Sequence, residues 1–371
     1  MSIIPVNRPL ITDLDIAAVV NSLQNTWISG DTPPVRDLED ALCNVLGAKE
    51  AIAVSTGTSA IDLSVEALEI KAGDKCVLPT FSIISTVSNL ARKGAKLELV
   101  DADPVTWSMD AAAAAAKIAE DTKLVMPVHI YGLSVDMKPI MKAAKFNNVF
   151  VLEDAAEAIG VKFEGQNCGT IGNAGIFSFF ANKVVTGGEG GAVVTDDATF
   201  AKKVRYFRNL CFNPNERYVH EDLGWNHRMA GLSATLIGSQ LKRLDDLVAL
   251  KISQANFYLE GLSGHPWFTF QPRSTTFSTN TYWVFGILLN KECKYDANQF
   301  RSILLERGVD TRRFFCPMHL QPVFRNIFNS GEGEFPIAEN LWNRGLYIPS
   351  GLGTTKIEQE RVIEVLWDVM K

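Results

Sequence analysis

The sequence predicts an α/β protein with a mostly parallel central sheet and a smaller C-terminal α/β domain. Two observations lead there. Between residues 50 and 195, short β-branched runs alternate with helical patterns, and such alternation builds a parallel sheet covered by helices on both sides. After about residue 245 the pattern shifts to long helices around fewer strands. A length of 371 residues accommodates two domains. We divide the chain into 1–245, a large domain with an N-terminal arm, and 246–371, a small one, the boundary falling within a long helix.

The elements follow in order. "AIAVS" is a strand leading into "GTSAIDLSVEALEI", where Ile61, Val65 and Leu68 recur at helical spacing. "DKCVLPT" is a strand followed by a helix from about Ser82 to Lys93. The runs "AKLELVDAD", "KLVMPVHIYG" and "NVFVLEDAAEAIG" are further strands, each ending in polar residues or a turn. In "DAAAAAAKIAED", Asp110 stands as N-cap before a run of the best helix former. Beyond residue 245, "LVALKISQANFYLEGLS" is a long helix and "TNTYWVFGILL" a strand. "DANQFRSILLERGV" is a helix with Asp296 near its start, and "TKIEQERVIEVLWDVMK" an amphipathic helix capped by Thr355.

Bulk properties exclude several function classes. The net charge is −6 and no Lys/Arg-rich run occurs, which argues against a nucleic-acid or anionic-membrane surface. No run of 18 or more apolar residues is present to span a bilayer. The start "MSIIPVNRPLITDLD" lacks a signal-peptide pattern. The six cysteines are scattered without zinc-ligand spacing, so no metal site is expected, and a cytoplasmic protein with reduced thiols is the simplest reading.

Three features carry chemistry. In "STGTSA", Gly57 opens a helix directly after a strand, offering free amides at the positive helix end and the Thr58 hydroxyl as a phosphate seat. By itself this reads more readily as an ordinary helix-capping turn. It is not a GxxxxGK[ST] loop, nor is there a GxGxxG after a strand. Asp154 ends an apolar strand, where a carboxylate needs a cation or strong donor: a protonated cofactor nitrogen, or an arginine. In parallel sheets ligands collect beyond the strands' carboxyl ends, so Thr56-Gly57-Thr58 and Glu153-Asp154 are expected to line one crevice. Lys183, in "FSFFANKVVTGGEGGAVVT", sits between an aromatic run and a glycine cluster. Alone it would be a solvated turn residue. With the other two features it meets the needs of pyridoxal phosphate: an amine for a Schiff base, a carboxylate for the pyridine nitrogen and an amide cradle for the phosphate. The glycines after Lys183 would let the backbone approach the cofactor.

Together "STGTSAIDL", "VLEDAAEAIG" and the lysine segment resemble the sugar aminotransferases of the DegT/DnrJ/EryC1/StrS family, as do "NTWISGDTPPVRDLEDAL", "VDADPVTWSMD", "WNHRMAGLSATLIGSQLKRLD" and "TRRFFCPMHLQPVF". The resemblance implies the fold-type-I (aspartate aminotransferase-like) architecture and a homodimer with active sites at the subunit interface. It gives Lys183 as the cofactor-holding catalytic residue, Asp154 opposite the pyridine nitrogen and Glu157 near the ring hydroxyl. It gives Gly57, Thr58 and Ser178 as phosphate ligands, with Asn226 reaching in from the partner subunit; Asn226 and Arg228 otherwise read as polar loop residues. Where many relatives stack an aromatic on the ring, this chain has Ile83, which packs without π-stacking. Trp27, Arg312, Phe314 and His319 lie in segments resembling substrate loops; Trp27 and Phe314 read equally well as core and Arg312 as an ion-pair residue, whereas "PMHLQP" is a loop-like context for His319. The implied substrates are L-glutamate and a nucleotide-linked 4-keto-6-deoxy sugar, GDP-4-keto-6-deoxymannose first and a UDP- or dTDP-linked keto sugar aminated at C4 or C3 as the alternative. A place in O-antigen biosynthesis follows from the same resemblance. Two rivals stand beside it: a sister C3 dehydratase, which carries histidine at the lysine position, and a non-catalytic nucleotide-sugar-binding protein on the same fold.

Overall fold

A computed structural model describes residues 3–328 and 334–370. The central sheet is assembled from β1 (Glu50–Val54), β2 (Lys75–Pro79), β3 (Lys96–Val100), β4 (Thr122–Val125) and β5 (Phe150–Asp154). A small hairpin, β6 (Lys162–Phe163) and β7 (Gln166–Asn167), precedes the last two central strands, β8 (Ala174–Ser178) and β9 (Gly191–Thr195). The strand order is β1-β9-β8-β5-β4-β2-β3. β9 runs antiparallel to both its neighbours, and the remaining pairs are parallel.

Because side chains alternate across a strand, each strand feeds two cores. Ala53, Val77, Val125, Val151 and Phe177 pack into one, on the face that also carries Val35, Leu38 and Leu42 of the helix Pro33–Leu46. Ile52, Leu78, Leu124, Leu152 and Ile176 pack into the other, with Leu63 and Val65 of the helix Gly57–Ala67. Burial on both faces is what makes these runs continuously apolar.

A second, antiparallel sheet follows in the order β10-β11-β13-β12, from β10 (Phe268–Thr269), β11 (Phe285–Leu289), β12 (Arg312–Arg313) and β13 (Gly345–Ile348). It has its own core, including Tyr258, Phe285, Phe300, Val362 and Leu366. The expected caps are present. Asp110 accepts the amides of Ala112 and Ala113, and Asp296 and Thr355 each form a reciprocal capping box with Gln299 and Glu358.

The N-terminal arm, assigned from the sequence to the first unit, packs on the second. Ile4 pairs with Val309, Ser350 N–H donates to the Val6 carbonyl at 3.2 Å, and Arg8 forms an ion pair with Glu358 at 2.8 Å. The helix Leu244–Gly261 reads the backbone of the segment after β13 with polar side chains. Lys251 donates to the Ser350 carbonyl, Gln254 to those of Gly351 and Thr354, and Tyr258 to that of Pro349. All six cysteines are unpaired, and among the described residues no helix is long and apolar enough to cross a membrane.

Lys251 is 3% exposed, and burial lowers its amine to about 7. Since the folded value lies below the unfolded one, the destabilisation is complete below pH ~7 and fades as pH rises towards ~10. Relative to wild type, Lys251→Met should therefore gain about 3–4 kcal/mol of stability between pH ~10 and pH ~7, an advantage offset in part because the Ser350 carbonyl loses its donor. Denaturant melts at a series of pH values should show that advantage shrinking in alkali.

Candidate active site

β8 and β9 form a wide hairpin whose loop carries the lysine. Ser178 faces Gly191 in register, and Phe179 N–H donates to the Gly190 carbonyl at 2.8 Å. The loop is pinned from outside at two places. The Gln240 amide accepts from Thr186 N–H at 3.1 Å and donates to the Thr186 carbonyl at 2.9 Å. The Asn182 carbonyl accepts from Asn7 Nδ2 at 3.1 Å and from Trp283 Nε1 at 2.9 Å. With its neighbours fixed, Lys183 turns inward. Its side chain is 10% exposed, with Nζ 3.9 Å from Glu157 Oε1 and 3.6 Å from the centroid of the Trp283 ring. Burial lowers the amine from its usual value, while Glu157 and Asp154 pull it back up.

Asp154 closes β5 and is 2% exposed. Burial raises its carboxyl, opposed by the Ala156 amide donating to Oδ1 at 3.1 Å, by Lys183 and His129, and by Thr86 Oγ1 at 3.4 Å. Glu157, one turn further on, accepts the Tyr131 amide at 2.9 Å, and burial drives its carboxyl up to about 7. Glu153 departs from expectation. As the neighbour of Asp154 in an extended strand it points to the opposite face. There it binds the amides of Ile171 and Gly172 at 2.6 Å each, Gly169 at 2.8 Å and His129 Nε2 at 3.0 Å. It organises a loop and does not line the crevice.

The turn after β1 forms the third component. Thr56 Oγ1 accepts Ser59 N–H at 3.0 Å, capping the helix Gly57–Ala67. Among the described residues the amides of Gly57 and Thr58 donate to no acceptor, and Thr58 Oγ1 lies 2.8 Å from Ser85 Oγ. A Cβ at Gly57 would stand 2.8 Å from Ser178 Cβ, and one at Gly191 would stand 2.3 Å from the Thr56 carbonyl oxygen. Gly191 thus lets β9 start against the Thr56–Gly57 turn.

These groups surround one cavity of 370 Å³. Lys183, Asp154, Glu157, Gly57, Thr58, Ser178 and Ile83 all line it. Ile83 is 43% exposed. Sequence reasoning missed the opposite wall: Trp283 just before β11, Phe315 just after β12, and Tyr347 on β13. Phe314, for which the sequence allows core packing at least as readily as a substrate role, is 1% exposed and packs between Trp107 and Tyr131 in the core.

Five other residues named from the sequence lie outside that lining. Asn226 is exposed in the loop after Trp225, and Arg228 beside it bonds to Asn209. Trp27 is half-buried, its carbonyl accepting Ser22 Oγ at 3.0 Å. Arg312 is half-exposed and pairs with Asp310 at 2.9 Å, as its ion-pair reading anticipated. His319 departs from its loop-like context. It is 4% exposed, with Nδ1 2.7 Å from Thr80 Oγ1 and Nε2 3.1 Å from Glu339 Oε1, so both ring nitrogens are engaged in tying three segments together.

A nine-tenths-buried amine, a buried carboxylate at a strand end and a helix-terminal cradle that a Cβ at Gly57 would crowd all face one cavity. This donor set fits pyridoxal phosphate, and on a mostly parallel α/β sheet it marks a pyridoxal-phosphate-dependent enzyme. The chain belongs to the DegT/DnrJ/EryC1/StrS aminotransferase family, whose model matches residues 9–367, and it is a sugar aminotransferase of that family. It is 34% identical to the GDP-perosamine synthase of Caulobacter vibrioides (95% of this chain, 94% of the relative) and 34% identical to that of Escherichia coli O157:H7 (94% of each). The solved aminotransferase TlmJ from Streptoalloteichus hindustanus superposes with a TM-score of 0.91 at 26% identity, covering 99% of this chain and 100% of that one.

Gly57→Ala should test the cradle. Alanine is the better helix former by about 1 kcal/mol, so helix content should be retained. The crowding against Ser178 should weaken cofactor retention by about tenfold or more, read as loss of the bound cofactor's visible absorbance on dialysis.

Proposed function

We propose that the protein transfers an amino group from L-glutamate to C4 of a nucleotide-linked 4-keto-6-deoxy sugar, with GDP-4-keto-6-deoxymannose as acceptor and GDP-perosamine as product. The observation that carries this reading is the inward-turned Lys183 between Asp154 and Glu157. A lysine there supports amination over the C3-dehydratase reading, which takes histidine at that position. The GDP-sugar assignment is supported by the similarity to GDP-perosamine synthases along nearly the whole chain.

Lys183 would hold the cofactor, with Asp154 facing the ring nitrogen, Glu157 beside the ring hydroxyl and Ile83 against the ring face. Gly57, Thr58 and Ser178 would hold the phosphate, joined by Asn226 of the partner subunit in a homodimer. Bound pyridoxal phosphate supplies an electron sink for the carbanion formed at the amino-bearing carbon. Asp154, short of water and held by only two weak donors, would be stabilised in its charged form by a protonated ring nitrogen. Once free, the Lys183 amine takes a proton from the donor α-carbon and delivers it elsewhere, as a general base and then acid. The burial that lowers its affinity for protons puts it nearer working pH. Trp283, Phe315 and Tyr347 keep water from the amine. Arg312, the register partner of cavity-lining Tyr347, stands where a sugar diphosphate could be met by a guanidinium.

Purified protein should be offered L-glutamate with GDP-, UDP- and dTDP-linked keto sugars, and the products weighed by mass spectrometry. Nitrogen gain on the GDP-linked sugar is expected. Gain only on a UDP- or dTDP-linked sugar would move the assignment to that acceptor, and oxygen loss without nitrogen gain would mean the dehydratase. Colourless protein that binds the sugar without converting it would mean a binding protein. Lys183→Arg should lower turnover by about 10³-fold; an unchanged rate would overturn the role given to the lysine. Asp154→Asn should fold normally yet lose about 10²-fold or more in rate, since an amide cannot hold the ring nitrogen's proton.

A further inference from the structure

Trp283 is 5% exposed and makes two contacts with the lysine loop. Its indole N–H donates to the Asn182 carbonyl, which fixes the ring, and its π face lies 3.6 Å from Lys183 Nζ. We propose that Trp283 is a positioning residue that holds Lys183 on its ring face as an ammonium once the freed amine has taken up a proton. The inference rests on Lys183 being the amine that leaves and rejoins the cofactor in each cycle.

The reason is a conflict between holding and releasing. A freed amine that has just collected a proton is an ammonium in a site nearly closed to water, where an unpartnered charge is strongly disfavoured. A carboxylate in full contact would stabilise it but would also trap it and draw charge away from the ring. Here the nearest carboxylate oxygen, on Glu157, stands off at 3.9 Å, beyond hydrogen-bond reach. An aromatic face attracts the cation without a directional bond, so the amine can leave along the cavity. The other ionisable groups facing this space are Asp154 at the end of β5, Glu189 on the same loop and Tyr347 on β13, with Lys251 across a small neighbouring cavity. None of them offers a second aromatic face at the amine. Trp283 is held in turn by Tyr131, whose ring centroid is 6.0 Å away.

The test is competitive labelling of Lys183 with acetic anhydride across a pH series, read by mass spectrometry. It uses enzyme loaded with pyridoxamine phosphate, in which the amine is free. Trp283→Leu should lower the apparent pKa of Lys183 by about one unit, and Trp283→Phe, which keeps a weaker face, by about half as much. Asn7→Ala removes the other side-chain donor to the Asn182 carbonyl but leaves the ring, and should leave that pKa unchanged. An unchanged pKa in both tryptophan variants would overturn the proposal. So would an equal shift in Asn7→Ala, which would place the effect in the loop's position and not in the ring. Should Trp283→Leu fail to load, the comparison of Trp283→Phe with wild type decides, and equality overturns. Failure of the parent reading would appear separately, as turnover surviving in Lys183→Arg.

Discussion

The burial of one lysine amine beside two carboxylates is the constraint on which the site depends. Loss of water disfavours the charged form of each: it pulls Lys183 down, pushes Asp154 up and brings Glu157 to about 7. Attraction between the amine and the two carboxylates opposes all three shifts, while repulsion between the carboxylates adds to the rise of Glu157. Such a cluster is stable only if its members are held so that attraction survives without collapse into one tight pair. The backbone does this holding. The amides of Ala156 and Tyr131 fix the two carboxylates, and the Asn182 carbonyl, with two side-chain donors, fixes the residue before the lysine.

The fold makes that arrangement possible by bringing together ends that are distant in sequence. β1, β2, β5 and β8 run in a common direction, so the Thr56 turn, the Ile83 segment, Asp154 and Ser178 emerge at one edge. The reversed strand β9 starts at the same edge, and Gly191 lets it lie against the Thr56 carbonyl. The antiparallel sheet then closes the cavity with aromatic rings. The N-terminal arm threads between the two, its Asn7 reaching the lysine loop while Arg8 binds Glu358. The site therefore spans the whole chain.

Legibility from the sequence followed the strength of local signals. The strands around Val77 and Val151, the Asp110, Asp296 and Thr355 caps, and the long helix from Leu247 onward, which the structure begins at Leu244, were readable because period and capping chemistry agree with the fold. The helix Gly231–Leu241 was not. Its "GLSATLIGSQL" has weak intrinsic propensity, and it is held by tertiary contacts: Ile237 and Leu241 in the core and Gln240 on Thr186. Glu153 was misplaced because adjacency in sequence was read as adjacency in space, although a strand sends neighbouring side chains to opposite faces. His319 was misplaced because a loop-like context does not reveal that Thr80 and Glu339 come from elsewhere to bury it.

The sequence alone therefore determined the parallel α/β character, the lysine, the strand-end aspartate and the amide cradle, because each is written within about a dozen residues and carries its own chemical signature. Only the tertiary structure decided that these three share a cavity with Glu157. It also selected Phe315 and not Phe314 as the wall, and set Trp283 under the lysine amine. Those outcomes depend on which distant segments pack together, and packing is chosen by the shape and burial of the whole chain, which no short stretch encodes.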